Sequence, residues 1–366
     1  MIELDISSQD LGRAMSSIMG VVERSPKLPV LGHVLLLFQE NMLSLYGSDG
    51  DLTLQLSLPV ACTEQQGCCV AARRLYEITR TAGEAETLHL QWRQNRLTIS
   101  GSGYRYTLAT LDEGDFPSLM VENSDLGIVV RQGALRTLLE RTAFAMAQQD
   151  LRFFLNGVFL HGDTDRLTAV ATDSHRLALD GAPIEQQEVA LQAILPRKTV
   201  HELRRLLSSK EEDMVRVQRD EEMISFHAQQ WTLQSKTVAG RYPDYRAVLP
   251  KETSGQLRLD RQALLMALRR AALVSDEVTA AELALSESGE LVITAGQNEQ
   301  FETRLAVQVT GQPLQAAYNI RYLTDALGVV EAPEVELGYV DGGLGPLTIH
   351  DSTAPSWLGL VMPIRL

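Results

Sequence analysis

One pattern written three times constrains this chain more than any other feature of it. Apolar residues recur at helical spacing in Gln9–Glu23 (Leu11, Met15, Ile18, Val22) and in Gln132–Ala147 (Leu135, Leu138, Leu139, Thr142, Met146). They do so again in Arg261–Ser275 (Leu264, Leu265, Leu268, Ala272, Val274). Each is the stripe of an amphipathic helix lying on a sheet. A second set of helices keeps step: Ala71–Ala82, Pro196–Leu207 and Ile320–Val330. First helices begin at 9, 132 and 261 and second helices at 71, 196 and 320, a repeat of roughly 125 residues. Between the two helices of each copy lie strand-like runs: Leu43–Leu58, Leu167–Leu179 and Leu291–Val309. After the second helix come hairpins: Leu88–Leu111, Val215–Val238 and Val335–Val361. Each copy therefore reads β-α-β-β-β-α-β-β-β, itself two similar halves, and the fold class is α+β with three similar domains.

Proline-bearing clusters punctuate the copies, as loops between domains do. They are Asp115-Phe116-Pro117-Ser118, followed by the polar Glu122–Asp125, and Tyr242-Pro243-Asp244-Tyr245 with Pro250. The boundaries expected from them are 1–121, 126–250 and 256–366.

No run approaches the ~18 apolar residues of a membrane span, and Met1–Asp5 lacks the basic and apolar regions of a secretory signal. Three cysteines, Cys62, Cys68 and Cys69, match neither a disulfide framework nor a zinc-ligand spacing. The expectation is a soluble cytoplasmic protein with no structural metal. Net charge is −14, from 33 basic and 47 acidic residues, which disfavours nucleic-acid binding on average. The charge is segregated, however. Arginines gather on the helices (Arg13, Arg73, Arg74, Arg80, Arg131, Arg136, Arg141) and again on the later ones (Arg204, Arg205, Arg261, Arg269, Arg270), while acids collect in turns such as Glu211–Asp213 and Asp220–Glu222. Any one of these arginines is an ordinary solvated side chain; their recurrence on corresponding helices suggests one mildly basic face.

Reactive constellations are missing. No phosphate-cradling G-x-x-x-x-G-K-[ST] occurs, and Gly342-Gly343-Leu344-Gly345 reads as a turn between strands. The seven histidines show no ligand spacing. In Leu167–Leu179 (LTAVATDSHRLAL) two alternating apolar runs flank Thr172-Asp173-Ser174-His175, a strand–turn–strand. Continued alternation would set Asp173 and His175 on one side and Ser174 on the other, against a Ser-His-Asp triad. Nearby, Arg152–Gly157 and the apolar tail Leu360–Leu366 offer the apolar groups and few donors that a peptide cleft needs. The chain reads as a binding protein without catalytic residues or cofactor.

The succession ATDSHRL, LPRK, GRYPDY with VLPK, and terminal VMPIRL, together with RSPKLPVLGHVLL and FFLNGV, resembles the bacterial DNA polymerase III beta subunit family, the sliding clamps. The resemblance spans the whole chain. It implies a homodimeric ring of six DNA-clamp domains, helices lining the hole and sheets outside, encircling double-stranded DNA without sequence preference and acting as a processivity factor. A domain of this length has a radius of gyration of roughly 13–14 Å; three such spheres leave a hole of only about 5 Å, and six leave about 35 Å. Only six admit a duplex.

The resemblance also implies roles for residues. A cleft for short peptide motifs of DNA polymerase and clamp-loader subunits would use Arg152, Leu155, Thr172, Ser174, His175, Arg176 and Leu177. Pro243, Ala247, Val248, Leu344, Pro346 and Leu360, with Met362, Pro363, Ile364 and Arg365, would complete it. DNA would meet Arg24, Arg73, Gln149, Arg197 and Lys198. The dimer seam would join Arg105, Tyr106 and Leu108 to Leu273 and Val274 of the other chain. Ser174 stands where the family commonly has glycine, Ala247 is small, and the acidic seam segment is diluted at Glu299-Gln300-Phe301-Glu302. These departures bear on partner preference and dimer tightness. The alternative function is a divergent copy dedicated to repair polymerases or inhibitor resistance.

Overall fold

The computed structural model describes residues 2–365 except Arg24, Thr63, Glu84, residues 118–125, residues 275–278 and Gln297. Among the described residues six helices fall two to each third of the chain: α1 (Ser8–Val21), α2 (Ala72–Thr81), α3 (Gln132–Thr142), α4 (Arg197–Leu206), α5 (Arg261–Ala271) and α6 (Ile320–Gly328). Side-chain caps start three of them: Ser7 accepts from the Asp10 amide, Asp260 from Ala263 and Asn319 from Tyr322. Such caps satisfy amides that the first turn leaves without a partner. The expected stripes are buried on α1 and α3. On α5 the stripe stops early. The helix ends at Ala271; Ala272, still helical in its backbone angles, is exposed, and Val274 beyond it is only half-buried.

The order of elements corrects one detail of the expected β-α-β-β-β-α-β-β-β repeat. A further strand stands immediately before each second helix: Gln66–Ala71, Leu191–Pro196 and Gln315–Asn319. Each half-repeat is thereby a complete β-α-β-β-β. These strands abut their helices with no turn residue between, and Gly67–Val70 is buried on both faces, so alternation gave no sign of it.

All strand pairing is antiparallel, in three sheets among the described residues. The thirteen-stranded sheet joins strands of the first and second thirds where Leu52–Pro59 pairs with Trp231–Lys236, Leu56 opposite Trp231. The nine-stranded sheet joins the second and third where Arg176–Pro183 pairs with Leu358–Val361, Leu177 opposite Leu360. A four-stranded sheet holds Ala280–Leu285, Glu290–Ala295, Phe301–Ala306 and Gln315–Asn319. By compactness the chain forms two units, Met1–Gly133 with Glu185–Leu191 and His201–Thr237, and the remainder. The first contains the thirteen-stranded sheet with α1 and α2. The second has a core in which α5 and α6 (Leu264, Leu268, Leu323, Leu327) pack with Tyr318 and Trp357.

Several helix arginines have structural duties. Arg141 is 11% exposed and reaches Glu331 at 3.2 Å and both Asp180 and Asp351 at 4.0 Å, while its carbonyl accepts from the Trp357 indole. Arg261 donates to the Ala332 and Leu327 carbonyls. Neither belongs to a solvated basic face. Arg13, Arg73, Arg74, Arg80, Arg269 and Arg270 are exposed.

Candidate functional site

Four segments distant in sequence wall a cavity of about 340 Å³ in the second unit, within the ~300–1,000 Å³ range of ligand pockets. Arg152, Phe154 and Leu155 come from a short 3-10 turn and its lead-in; Thr172, Ser174, Arg176 and Leu177 come from the strand–turn–strand. Pro243, Asp244, Tyr245 and Val248 supply a third side, and Leu360 and Met362 the fourth. Its floor is a buried cluster of Val170, Leu177, Ile194, Tyr242, Tyr245 and Leu360. Tyr242 stacks on Phe159 at 4.9 Å between centroids, and the Tyr245 hydroxyl lies 2.9 Å from His161 Nε2. Burial raises the Tyr242 and Tyr245 phenols and lowers the His161 imidazolium, so all three are neutral at pH 7. These three groups therefore add no charge to the inner wall of the cavity.

The turn beside it departs from simple alternation. Ser174 has φ +77°, the left-handed region that favours glycine, yet the expected opposition holds: Ser174 lines the apolar cavity, and Asp173 and His175 line the polar one beside it. Asp173 Oδ1 accepts from the His175 and Arg176 amides, each at 3.0 Å, and Thr172 Oγ1 accepts from the Ser174 amide and donates to the Arg176 carbonyl. The final strand borders the turn, and the Met362 amide donates to the His175 carbonyl at 2.8 Å. At the mouth, Asp150 grips Arg152 through both carboxylate oxygens. Those bonds hold the Asp150 carboxyl down at about 2.

A second cavity of about 450 Å³ adjoins and is polar. His175 and Gln149 line this one, with Asp150, Asp173, Arg321 and Tyr322; Arg152 and Arg176 line both. The remaining expected cleft residues do not line the apolar cavity. Ala247 is exposed on the turn Tyr245–Val248, Leu344 is 85% exposed on the turn that follows Glu334–Tyr339, and Pro346 is half-buried. Pro363 and Ile364 are half-buried and Arg365 exposed, with the Ile364 amide donating to the Ala317 carbonyl. Phe154, Asp244 and Tyr245 line the cavity without having been singled out. The adjacent pair Phe153-Phe154 in a short turn was the available signal, since one ring of such a pair must face inward.

Of the DNA candidates, Arg24 lies outside the described residues. Arg73 is exposed in the first turn of α2, and Arg197 and Lys198 begin α4. The Arg197 guanidinium donates to the Met146 and Ala147 carbonyls, and burial lowers its pKa. Among the seam candidates, Arg105, Tyr106 and Leu108 lie on Tyr104–Asp112. That strand pairs with Arg96–Gly101 on one side and meets Gln66–Ala71 only from Thr110 onward. Along Tyr104–Ala109 no described strand takes the other side. In the second unit Phe301–Ala306 is likewise an outer strand, and Leu273 is 81% exposed.

Family models of the DNA polymerase III beta subunit match residues 2–120 (N-terminal domain), 129–244 (central domain) and 246–365 (C-terminal domain). The chain is 37% identical to the beta sliding clamp of Pseudomonas putida over 99% of both chains, and 32% identical to that of Escherichia coli over the whole of both. It superposes on the crystal structure of the Pseudomonas aeruginosa sliding clamp bound to griselimycin with a TM-score of 0.94, at 33% identity and full coverage of both chains. The chain belongs to the DNA polymerase III beta subunit family, the non-catalytic sliding clamps that serve as processivity factors in DNA replication.

Proposed function

We propose that two copies of this chain close into a ring around duplex DNA in the cytoplasm and hold DNA polymerase and clamp-loader subunits by short peptides seated in the apolar cleft. The observation that carries the peptide reading is the cleft itself: an apolar cavity rimmed by donors on a chain of the clamp family. Each fully buried Leu-like anchor contributes roughly 1.5–3 kcal/mol. Two or three anchors, less ordering costs, give about micromolar affinity, suited to partner exchange. Griselimycin, named as bound to the P. aeruginosa relative, would compete for this cleft.

Closure is supported by the two open edges. Exposed strand edges invite pairing, and here one bears Arg105 and Tyr106 and the other Phe301 and Glu302, with Leu273 and Val274 just past the end of α5, the helix that packs on that second strand. Six domains, bounded at 1–121, 126–250 and 256–366 in each chain, would set helices toward the hole. Arg73, Arg197 and Lys198 all sit in first turns, where the helix dipole disfavours cations; their placement suits loose phosphate contact better than helix stability.

The test is topological. Loaded onto closed circular DNA, the protein stays; after the circle is cut, it runs off the ends within minutes. Equal loss from both forms rejects the ring. A specialised copy serving repair polymerases or resisting an inhibitor is favoured by one observation, the left-handed Ser174 at the cleft rim. Competition between replicative and repair polymerase peptides separates the two readings.

A further inference from the structure

Arg176 lines both the apolar cleft and the polar cavity next to it, yet it is only 6% exposed. A charge at an apolar wall is costly unless its hydrogen bonds draw it elsewhere. Here they do. Its Nε donates to Asp173 Oδ2 at 3.0 Å and its Nη1 to Asp325 Oδ2 at 2.6 Å, and the guanidinium lies 4.4 Å from the centre of the Tyr322 ring. Asp173 and Tyr322 line the polar cavity and not the apolar one. The charged end is therefore pulled to the polar side, which leaves the aliphatic stem as cleft wall. Asp173 sits three residues away on the same turn and anchors the root of the side chain. Asp325 is different: it stands on α6, 149 residues along the chain, and lines neither cavity.

We propose that Asp325 is a positioning residue for partner binding, holding the Arg176 guanidinium out of the apolar chamber so that the cleft can take an apolar side chain. This rests on the cleft being the peptide site. Without the Asp325 charge, Arg176 keeps one carboxylate and gains freedom to swing a cation into the space an apolar anchor must fill. Arg321, one turn earlier on α6, lies 3.9 Å from the same carboxylate but is 68% exposed, so solvent supplies its partners and it does not substitute for the tether.

The experiment uses the full-length dimer and a fluorescein-labelled peptide ending in Leu-Phe, read by anisotropy, with melting temperature recorded for every variant. Met362→Asp, at the exposed rim, is the control for the site. If it leaves peptide affinity unchanged, the cleft is not the peptide site and both the functional reading and this proposal fall. With that control positive, Asp325→Asn is expected to weaken binding about tenfold at a temperature where it is fully folded, although loss of a buried pair lowers its melting temperature, and Asp325→Glu to recover most of the loss. In an Arg176→Gln background, Asp325→Asn is expected to add nothing, because the two residues act as one unit. Unchanged affinity in Asp325→Asn, a loss confined to temperatures at which the variant is partly unfolded, or full additivity with Arg176→Gln each overturns the proposal while leaving the cleft standing.

Discussion

The apolar cleft and the open edge Tyr104–Ala109, the two surfaces proposed to meet a partner, are built oppositely. The cleft converges from four segments between Arg152 and Met362, and its chemistry is side-chain burial. The edge is six consecutive residues whose outward backbone no described strand satisfies, and its chemistry is main-chain pairing. On the proposed reading, a partner in the cleft would bury a few side chains and exchange readily, whereas one on the edge would add a ladder of cooperative bonds and stay. Transient and lasting contacts thus fall to different kinds of surface.

Charge reversal at the edge should separate the two most strongly. Arg105→Glu with Tyr106→Glu is expected to raise the dimer dissociation constant at least about a hundredfold, since it removes a cation and an aromatic ring and sets two carboxylates on an edge that must shed water to pair. Sedimentation at dilute concentration reads the mass, and peptide anisotropy should stay within about twofold of wild type. Loss of both together would mean that edge and cleft are not independent surfaces.

Ser174→Gly should act on the cleft alone. An L-residue in the left-handed region costs about 1–2 kcal/mol, partly offset by the extra chain entropy of glycine, so a net gain of roughly 0.5–1 kcal/mol follows. That predicts a melting temperature higher by about 1–2 °C. The Thr172 acceptor for the residue-174 amide is kept, since that bond is to backbone. A lower melting temperature would show that the serine side chain stabilises the turn.

The smallest expected effect is with pH. Burial lowers the His161 pKa beneath its ordinary 6.5, so the unfolded chain binds the proton first. The contribution of this site is therefore complete above pH 6.5 and declines as pH falls from there toward the folded-state value. On the first unit His89 goes the other way. Asp5 and Glu3 hydrogen-bond it and raise its pKa, so its contribution is complete below 6.5 and is lost as pH rises through the raised value. Melting curves between pH 7.5 and 5.5 should show a shallower acid decline for His161→Gln than for wild type. Identical slopes would show that His161, behind Tyr245, does not titrate in this range as its burial requires.

How much of this was legible in the sequence differs between the two surfaces for the same physical reason. The edge residues Arg105, Tyr106 and Leu108 were named only by the family resemblance, but the strand that holds them is legible locally as part of the hairpin run Leu88–Leu111. Cleft membership depends on which backbones converge. Leu177 and Leu360 meet because two strands pair in register, whereas Leu344, as apolar as either, projects from a turn into solvent. Asp244, from the segment around Tyr242-Pro243, faces the same space without any pattern announcing it, and Phe154 was signalled only by its pairing with Phe153.

Periodicity by itself settled the six helices and the threefold repeat, because the faces an amphipathic helix must bury are written at fixed spacing along the chain. It also placed the turn at Thr172–His175 and the glycine-rich turn before Leu347. Tertiary structure alone decided that Arg141 is bound into a buried network, that Arg176 is tethered from α6, and that Ser174 is left-handed. Those outcomes depend on partners more than a hundred residues distant or on a backbone angle, and neither leaves a local trace in composition or spacing.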